Sequence, residues 1–179
     1  MDNLFYLHPN FNEDISNWNV SNVTSMKNMF MNCNSFNQDI SNWNTSNVTD
    51  MESMFQNCYQ FNQNISKWDL SNVTSTKAMF SGCRIFNSDI NDWNTSKIQN
   101  MSNMFYYAIL FNKSIDNWDV SNVTNMSYMF YGASKFNQSI NKWKTNNLNK
   151  SSYMFYSAHN FNQDLNNWNM CNNTSIRCM

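Results

Sequence analysis

The sequence predicts an α/β repeat solenoid, a coil of stacked turns in which each turn contributes one short parallel strand and one short helix. Three observations lead to this prediction. A Phe-Asn pair returns every 25 residues, a tryptophan stands seven residues after each of these phenylalanines, and apolar residues recur at fixed places between them. A fixed period of this size is typical of a solenoid, because one unit cannot bury its apolar face alone.

The period divides the 179 residues into about seven cycles, whose positions we number from the phenylalanine as position 0. We expect a single solenoid domain over 1–179, with a partial N-terminal repeat at 1–10, six full repeats at 11–160 and a truncated seventh repeat at 161–179. Both ends of the chain fall inside a repeat and show no obvious polar cap. Head-to-tail self-association through these ends is therefore one hypothesis.

The helix of each repeat is predicted from apolar residues at positions 15, 18, 19 and 22, which would share one helical face. In the first full repeat these are Met26, Met29, Phe30 and Cys33. The preceding Ser-Asn-Val-Thr segment carries turn and cap chemistry. We therefore expect the residue at position 13 or 14, in this repeat Thr24 or Ser25, to be the helix N-cap.

The strand of each repeat is predicted around the tryptophan, where apolar and polar residues alternate and β-formers occur, as in 18–20. Position 9 alternates between aliphatic residues and threonine, as in Val20 and Thr45. We expect it to lie at a half-buried edge.

Composition narrows the function classes. The net charge is −1 and only 13% of residues are charged, so neither nucleic acid nor an anionic membrane is the expected partner, and no stretch is apolar enough to span a membrane. The chain has 38 asparagines against 2 glycines and 1 proline. Asparagine tolerates left-handed backbone and bonds to nearby backbone, so the amide-rich stretches are interpreted as the corners of the coil.

Two unbroken columns are interpreted as structural ladders. The asparagines at position 1 are expected to bridge corner groups of successive turns, and the tryptophans at position 7 are expected to form core. The asparagines are Asn12, Asn37, Asn62, Asn87, Asn112, Asn137 and Asn162. The tryptophans are Trp18, Trp43, Trp68, Trp93, Trp118, Trp143 and Trp168. An exposed aromatic column that stacks on sugars is kept as an alternative.

No catalytic, metal or cofactor site is predicted. Cys33, Cys58 and Cys83 share position 22, where later repeats have alanine, so this position is interpreted as a small buried apolar site. Cys171 and Cys178 are expected to be exposed. The aspartates at position 3, such as Asp14, are expected to bond to corner backbone rather than to calcium, because the Gly-rich turns of calcium-binding solenoids are absent.

A stripe of tyrosines distinguishes the later repeats. Position 20 is Met, Gln or Ser in the early repeats and tyrosine later, and position 17 changes in the same way. The tyrosines are Tyr106, Tyr128, Tyr131, Tyr153 and Tyr156. Because a tyrosine ring is apolar and its tip polar, this stripe is the predicted contact surface, with simple coverage of the later turns as the alternative.

The repeated motif Phe-Asn-x-x-Ile-x-x-Trp-x-Val-Ser-Asn-Val-Thr-x-Met-x-x-Met-Phe-x-x-Cys/Ala resembles the BspA-like leucine-rich-repeat surface proteins over essentially the whole chain. This resemblance implies a leucine-rich-repeat-like fold and a role in surface recognition or cell adhesion, as in bacterial surface lipoproteins. We expect a non-enzymatic module that presents an extended surface to a protein or glycan. The alternative is a structural component of an assembly, such as a virus particle. No signal peptide or lipid-attachment motif is visible, so cell-surface, cytoplasmic and virion-associated locations all stay open.

Overall fold

The computed structural model describes residues 1–177, in which each 25-residue cycle, called a rung below, lies against the next. Isolated parallel bridges join position 14 of neighbouring rungs, from the Ser25–Asp50 pair to the Lys150–Ser175 pair. Apart from these bridges, residues 1–177 contain neither an α-helix nor a β-strand. The predicted α/β solenoid, with a helix and a strand in each repeat, is therefore wrong.

The backbone hydrogen bonds explain why no helix forms. In an α-helix every amide would donate to the carbonyl four residues earlier. Here alternate amides donate in different directions. Met29 N–H donates within its rung to the carbonyl of Met26 at 3.2 Å, whereas Phe30 N–H donates to the carbonyl of Met54 in the next rung at 2.9 Å. The segment thus consists of overlapping turns. Every second amide in it also bonds to a carbonyl of the next rung, which runs parallel to it.

Left-handed backbone recurs at positions 17 and 21 and prevents helical geometry. Asn28 has φ of 54° and Asn32 has φ of 65°, and every rung from the first to the seventh repeats this pair. An L-residue in this region interrupts a right-handed helix. The residue expected to cap the helix has another role, because the Thr24 carbonyl accepts the amide of Thr49 at 2.8 Å and Ser25 forms a bridge.

The apolar spacing did identify the buried side chains. Met26, Met29, Phe30 and Cys33 are all 0% exposed. When the chain direction reverses every three or four residues in successive turns, the side chains at positions 15, 18, 19 and 22 face inward, as they would in a helix. The pattern therefore fixes which residues are buried without fixing the backbone conformation.

The segment predicted as a strand is made of turns as well. Trp18 N–H donates to the Ile15 carbonyl at 3.1 Å, and Val23 N–H donates to the Val20 carbonyl at 2.9 Å. Position 9 lies fully inside rather than at a half-buried edge, with Val20 at 2% exposure and Thr45 at 1%. The Thr45 hydroxyl is satisfied there, because it donates to the Asp69 carbonyl at 3.0 Å.

Stacked phenylalanines fill the centre of each rung. Phe30 stacks on two rings of the next rung, on Phe36 with centroids 4.0 Å apart and on Phe55 at 5.6 Å. The same pairing continues through Phe80–Phe86. These phenylalanines thus stack on rings of the neighbouring rung, which ties the rungs together through the core.

Short polar side chains close the corners. Asp14 accepts the amide of Ser16 at 2.9 Å, and Asn19 accepts the amide of Ser21 at 3.1 Å. The prediction that position 3 bonds to corner backbone is confirmed by this contact and by the equivalent Asp39–Ser41 bond. These turns explain how the chain bends with so little glycine. In the described part of the chain there is no helix with the length and apolar character needed to cross a bilayer.

Candidate interaction surface

The tyrosines of the later rungs form two stacked columns. At position 20, Tyr106 stacks on Tyr131 and Tyr131 on Tyr156, with centroid distances of 5.0 Å in both cases. At position 17, Tyr128 stacks on Tyr153 at 5.1 Å with an interplanar angle of 12°. The rings line up because equivalent positions lie above one another. All five predicted tyrosines therefore lie on one face.

A sixth tyrosine, Tyr107, completes this face and was missed by the sequence analysis. Its ring meets that of Tyr106 edge-on at 4.8 Å and that of Tyr131 at 5.5 Å, and its residue is 43% exposed. The available signal was that position 21 is otherwise polar or small in the full repeats, as in Asn57 and Gly82. We call the six residues the tyrosine face: Tyr106, Tyr107, Tyr128, Tyr131, Tyr153 and Tyr156.

Gly132 makes room for Tyr107. A Cβ atom at Gly132 would lie 2.7 Å from Cδ1 of the Tyr107 ring, and the backbone φ of Gly132 is +67°. Both facts favour glycine, since the conformation is left-handed and the space is occupied. The orientation of Tyr107 thus depends on the residue in the rung that follows.

Two phenol groups of the tyrosine face, those of Tyr106 and Tyr131, have perturbed pKa values. Burial, followed by interaction with neighbouring tyrosines, raises the pKa values of Tyr106 and Tyr131 above the ordinary value for tyrosine. The phenol groups of Tyr106 and Tyr131 therefore keep their protons at neutral pH and can donate or accept hydrogen bonds. With Tyr156 at 47% exposure, the face offers aromatic area and polar tips together.

A groove of about 620 Å³ opens beside the tyrosine face, where position 20 changes from Tyr106 to Ser81; we call it the Ser81 groove. Ser81 and Gly82 belong to the rung that lies between the rung of Gln56 and the rung of Tyr106, and all three rungs line the groove. The lining comprises Gln56, Asn57, Tyr59, Ser81, Gly82, Arg84, Tyr106, Tyr107 and Ile109. The guanidinium of Arg84 lies over the Tyr59 ring, 4.9 Å from its centroid. The groove therefore combines aromatic, amide and cationic groups.

The tryptophan column lies inside the molecule. Trp93 is 3% exposed and its Nε1–H donates to the Ile65 carbonyl of the preceding rung at 3.0 Å. Equivalent bonds run from Trp43 to Trp168. Trp18 differs, with 40% exposure. From Trp43 onward, the indoles are too enclosed to serve as a sugar-stacking platform.

The asparagines at position 1 form a regular hydrogen-bonded series along one corner. The Oδ1 atom of Asn87 accepts the backbone N–H of Asn112 at 2.9 Å, and Asn87 N–H donates to Oδ1 of Asn62 at 2.8 Å. The series starts at Asn12, whose Oδ1 accepts from Asn37, and reaches Asn162. These side chains satisfy backbone amides that no carbonyl reaches.

The three cysteines at position 22 are buried and free, as predicted. Cys58 Sγ–H donates to the Phe30 carbonyl at 3.0 Å, and Cys33 and Cys83 repeat this contact. Burial raises the pKa of Cys33 to about 11 and raises that of Cys58 as well. Thiolate chemistry is therefore disfavoured in this column.

The remaining candidate ligands do not gather. Cys171 is exposed, as predicted, whereas Cys178 lies outside the described residues. Within 1–177 no three His, Cys, Asp or Glu side chains are grouped so that they could hold a metal ion.

One family model, described as "Mycoplasma protein of unknown function, DUF285", matches the chain twice, over residues 1–92 and over residues 78–179. The two matches overlap and together span the repeats. No curated protein and no solved structure matches the sequence.

Proposed function

The chain belongs to the DUF285 family, described only as proteins of unknown function, and we propose that it is a non-enzymatic recognition module that presents its tyrosine face to a macromolecular partner. The partner we favour is a protein. The proposal concerns binding through the side of the coil, where six rings from three neighbouring rungs are grouped.

The observation that carries this proposal is the clustering of aromatic rings on an outer surface. Elsewhere the phenylalanines and tryptophans stack in the core, and the outer positions are mainly amides and hydroxyls. Tyr107 and Tyr156 are 43% and 47% exposed although each ring has aromatic neighbours. Tyrosine is enriched among residues that dominate binding energy, because it loses little entropy and gives large contact area.

The resemblance of the repeat motif to BspA-like surface proteins supports a finer version of the proposal. In that version the chain acts in adhesion or surface recognition. The location that this requires stays part of the proposal.

A second candidate function is self-association through the apolar surface that Leu4, Leu7 and Trp18 form. Leu7 is 57% exposed, Leu4 is 45% exposed and Trp18 is 40% exposed, whereas Trp43 in the next rung is 4% exposed. An apolar surface of this kind would be covered if another copy lay against it. This is the observation that favours an assembly role.

The test of lateral recognition is a comparison of variants in which early-repeat residues replace tyrosines. The variant Tyr131→Gln/Tyr156→Met removes two rings but keeps residue types found at position 20 in Gln56 and Met31. The immobilised wild-type protein and this variant are exposed to cell-surface proteins and to a glycan array. We expect the wild-type protein to retain a partner that the variant loses.

The control variants change polar side chains outside the tyrosine face. Thr74→Ser and Thr124→Ser alter exposed side chains at position 13 and leave the tyrosine face intact, so they should retain the partner. Equal retention by all variants would contradict lateral recognition. The assembly role would be favoured instead if light scattering showed a molar mass of the wild-type protein that rises with concentration, and a lower mass for Trp18→Ser at the same concentration.

A further inference from the structure

The position-20 column of tyrosines ends at Tyr106, and within 1–177 no aromatic ring stacks on the second face of this residue. One face of Tyr106 is covered by Tyr131 at 5.0 Å, and the rung on its other side has Ser81 at the same position. Two rungs away the column resumes with the longer side chain of Gln56. The stack is therefore interrupted by the space of a single side chain.

The dimensions of this space suit one flat ring. Stacked rungs lie about 4.8 Å apart, so the two rungs from Tyr106 to Gln56 span roughly 9.6 Å. A ring placed over Ser81 would thus continue the observed 5.0 Å spacing of Tyr106 and Tyr131. The space beside Gly82 is filled by the Asn57 side chain, whose Oδ1 would lie 2.3 Å from a Cβ atom at Gly82, so Asn57 bounds the groove next to Ser81.

The charge of the Ser81 groove selects among ring-bearing ligands. Arg84 is the charged side chain of the lining, it is exposed, and it forms no ion pair with any residue of 1–177. Its guanidinium is held over the Tyr59 ring at 4.9 Å. An arginine held in this way can bind a carboxylate with two hydrogen bonds.

We propose that the Ser81 groove binds an aromatic side chain, with an acidic residue beside it, from a partner polypeptide. The ring stacks on the free face of Tyr106, and the carboxylate pairs with Arg84. A polypeptide is favoured over a glycan because the groove is continuous with the tyrosine face, which can contact the rest of such a segment. This inference rests on the proposed recognition function and specifies the chemistry of its partner.

The test titrates purified protein with a short capped peptide containing Phe followed by Asp, and records amide and tyrosine-ring chemical shifts. Ser81→Tyr fills the groove with the residue that three later rungs have at this position, so it should fold normally. We expect it to weaken binding about tenfold or more, since a stacking contact and its buried area are lost. Met31→Tyr makes the same change in the same column outside the groove and should bind like the wild type.

Two further comparisons examine the ligand chemistry. A peptide with Ala in place of Phe should not bind, and one with Lys in place of Asp should bind more weakly to the wild type. In Arg84→Gln the preference for Asp over Lys should disappear. Thermal melting of each variant shows that loss of binding does not come from unfolding.

The proposal is overturned if the peptide produces no saturable shifts around Ser81, or if Ser81→Tyr binds within about threefold of the wild type. Saturation by a glucuronic-acid disaccharide, with no response to the peptide, would overturn the polypeptide occupant and assign a glycan. Failure here is distinguishable from failure of the proposed function. If only the ligand chemistry inferred for the Ser81 groove is wrong, Tyr131→Gln/Tyr156→Met would still lose its captured partner, whereas Ser81→Tyr would keep it.

Discussion

At the scale of single residues, polar side chains act as substitutes for missing backbone partners. The asparagines at position 1, the aspartates at position 3 and the threonines at position 9 each bond to a main-chain group at a place where the turns leave that group unpaired. Asn87 and Thr95 are examples, with bonds of 2.9 Å to Asn112 N–H and to the Asp119 carbonyl. This requirement explains why amides and hydroxyls are so frequent in the sequence.

Asn87→Ala tests the asparagine series. It removes the acceptor of Asn112 N–H and should lower the free energy of unfolding by about 1 kcal/mol, because Asn87 is only half-buried and water can replace part of the bond. Thermal and urea unfolding measure this change. Asn17→Ala is the control, since Asn17 is exposed and makes no hydrogen bond recorded in 1–177. Equal stability of Asn87→Ala and the wild type would contradict a supporting role.

Glu52 provides a pH-dependent contribution to stability. Its carboxylate accepts bonds from Lys77 at 2.9 Å and Lys27 at 3.1 Å. Partial burial by itself would raise the pKa of Glu52, but the bonds and charges of the two lysines outweigh it and lower the pKa below the ordinary value. A carboxyl group with a lowered pKa stabilises the fold above the unfolded-state pKa, and this stabilisation is lost as pH falls through the folded-state pKa.

Glu52→Gln should therefore lower the free energy of unfolding at pH ~7 by roughly 0.5–1 kcal/mol in low salt, as expected for partly exposed pairs. At pH ~3 the difference from wild type should shrink, because the wild-type carboxyl is then largely protonated. Denaturant unfolding at both pH values and two salt concentrations measures it. Glu13→Gln is the control, since Glu13 is exposed and forms no ion pair within 1–177. A pH-independent difference would exclude the ion pairs as its cause.

At the scale of elements, the unit of this structure is the column rather than the helix or the strand. Residues 25 positions apart stack directly, so each column repeats one chemistry through successive rungs. The indoles of Trp93 and Trp118 lie 6.3 Å apart at an interplanar angle of 6°, and each donates to a carbonyl of the preceding rung. Columns thus carry both packing and hydrogen bonding from rung to rung.

Trp93→Phe should lower the free energy of unfolding by about 2–4 kcal/mol, because it leaves a cavity and removes one of the two hydrogen bonds that the Ile65 carbonyl accepts, the other coming from Trp68 N–H. Trp18→Phe is the matched control in the same column. Trp18 is 40% exposed, so its loss should be below about 1 kcal/mol. Chemical unfolding of both variants gives the comparison. Similar losses of unfolding free energy in the two variants would mean that burial of the indole does not determine the effect of its replacement.

Gly132→Ala should be destabilising by about 1 kcal/mol, since alanine in left-handed backbone is strained and its Cβ would displace the ring of Tyr107. Ser157→Ala is the control at the same position of the next rung. Ser157 already has φ of 59° with a Cβ present, so alanine adds no strain there. Thermal melting reports the strain and tyrosine-ring chemical shifts report the displacement. Unchanged rings in Gly132→Ala would contradict the close contact.

At the scale of the whole molecule, neighbouring rungs supply the hydrogen bonds that a helix would supply within itself. Asn28 N–H donates to the Glu52 carbonyl at 2.9 Å, and this pattern repeats from rung to rung. A rung without its neighbour would leave these groups unpaired. Stability should therefore be a property of adjacent rungs, as in other repeat proteins.

The absence of helix within 1–177 has a direct spectroscopic consequence. Segments such as 27–32 should lack the Cα chemical shifts and far-ultraviolet circular dichroism of α-helix. Their alternate amides should be protected from hydrogen exchange by the following rung. Consecutive helical shifts through 27–32 would contradict the hydrogen-bond pattern described above.

The sequence by itself determined the period, the buried positions other than position 9 and the grouping of five tyrosines, because apolar periodicity and repeat phase reflect which side chains face inward. It did not determine the backbone, since apolar residues spaced three and four apart suit both a helix and a series of turns. Left-handed conformation at Asn28 and Asn32 depends on carbonyls 24 residues further along the chain, as in the bonds to Glu52 and Gln56. Only the tertiary structure brings those partners together. It also brought Tyr107 over Gly132 and opened the Ser81 groove, which result from contacts between rungs rather than from any one repeat.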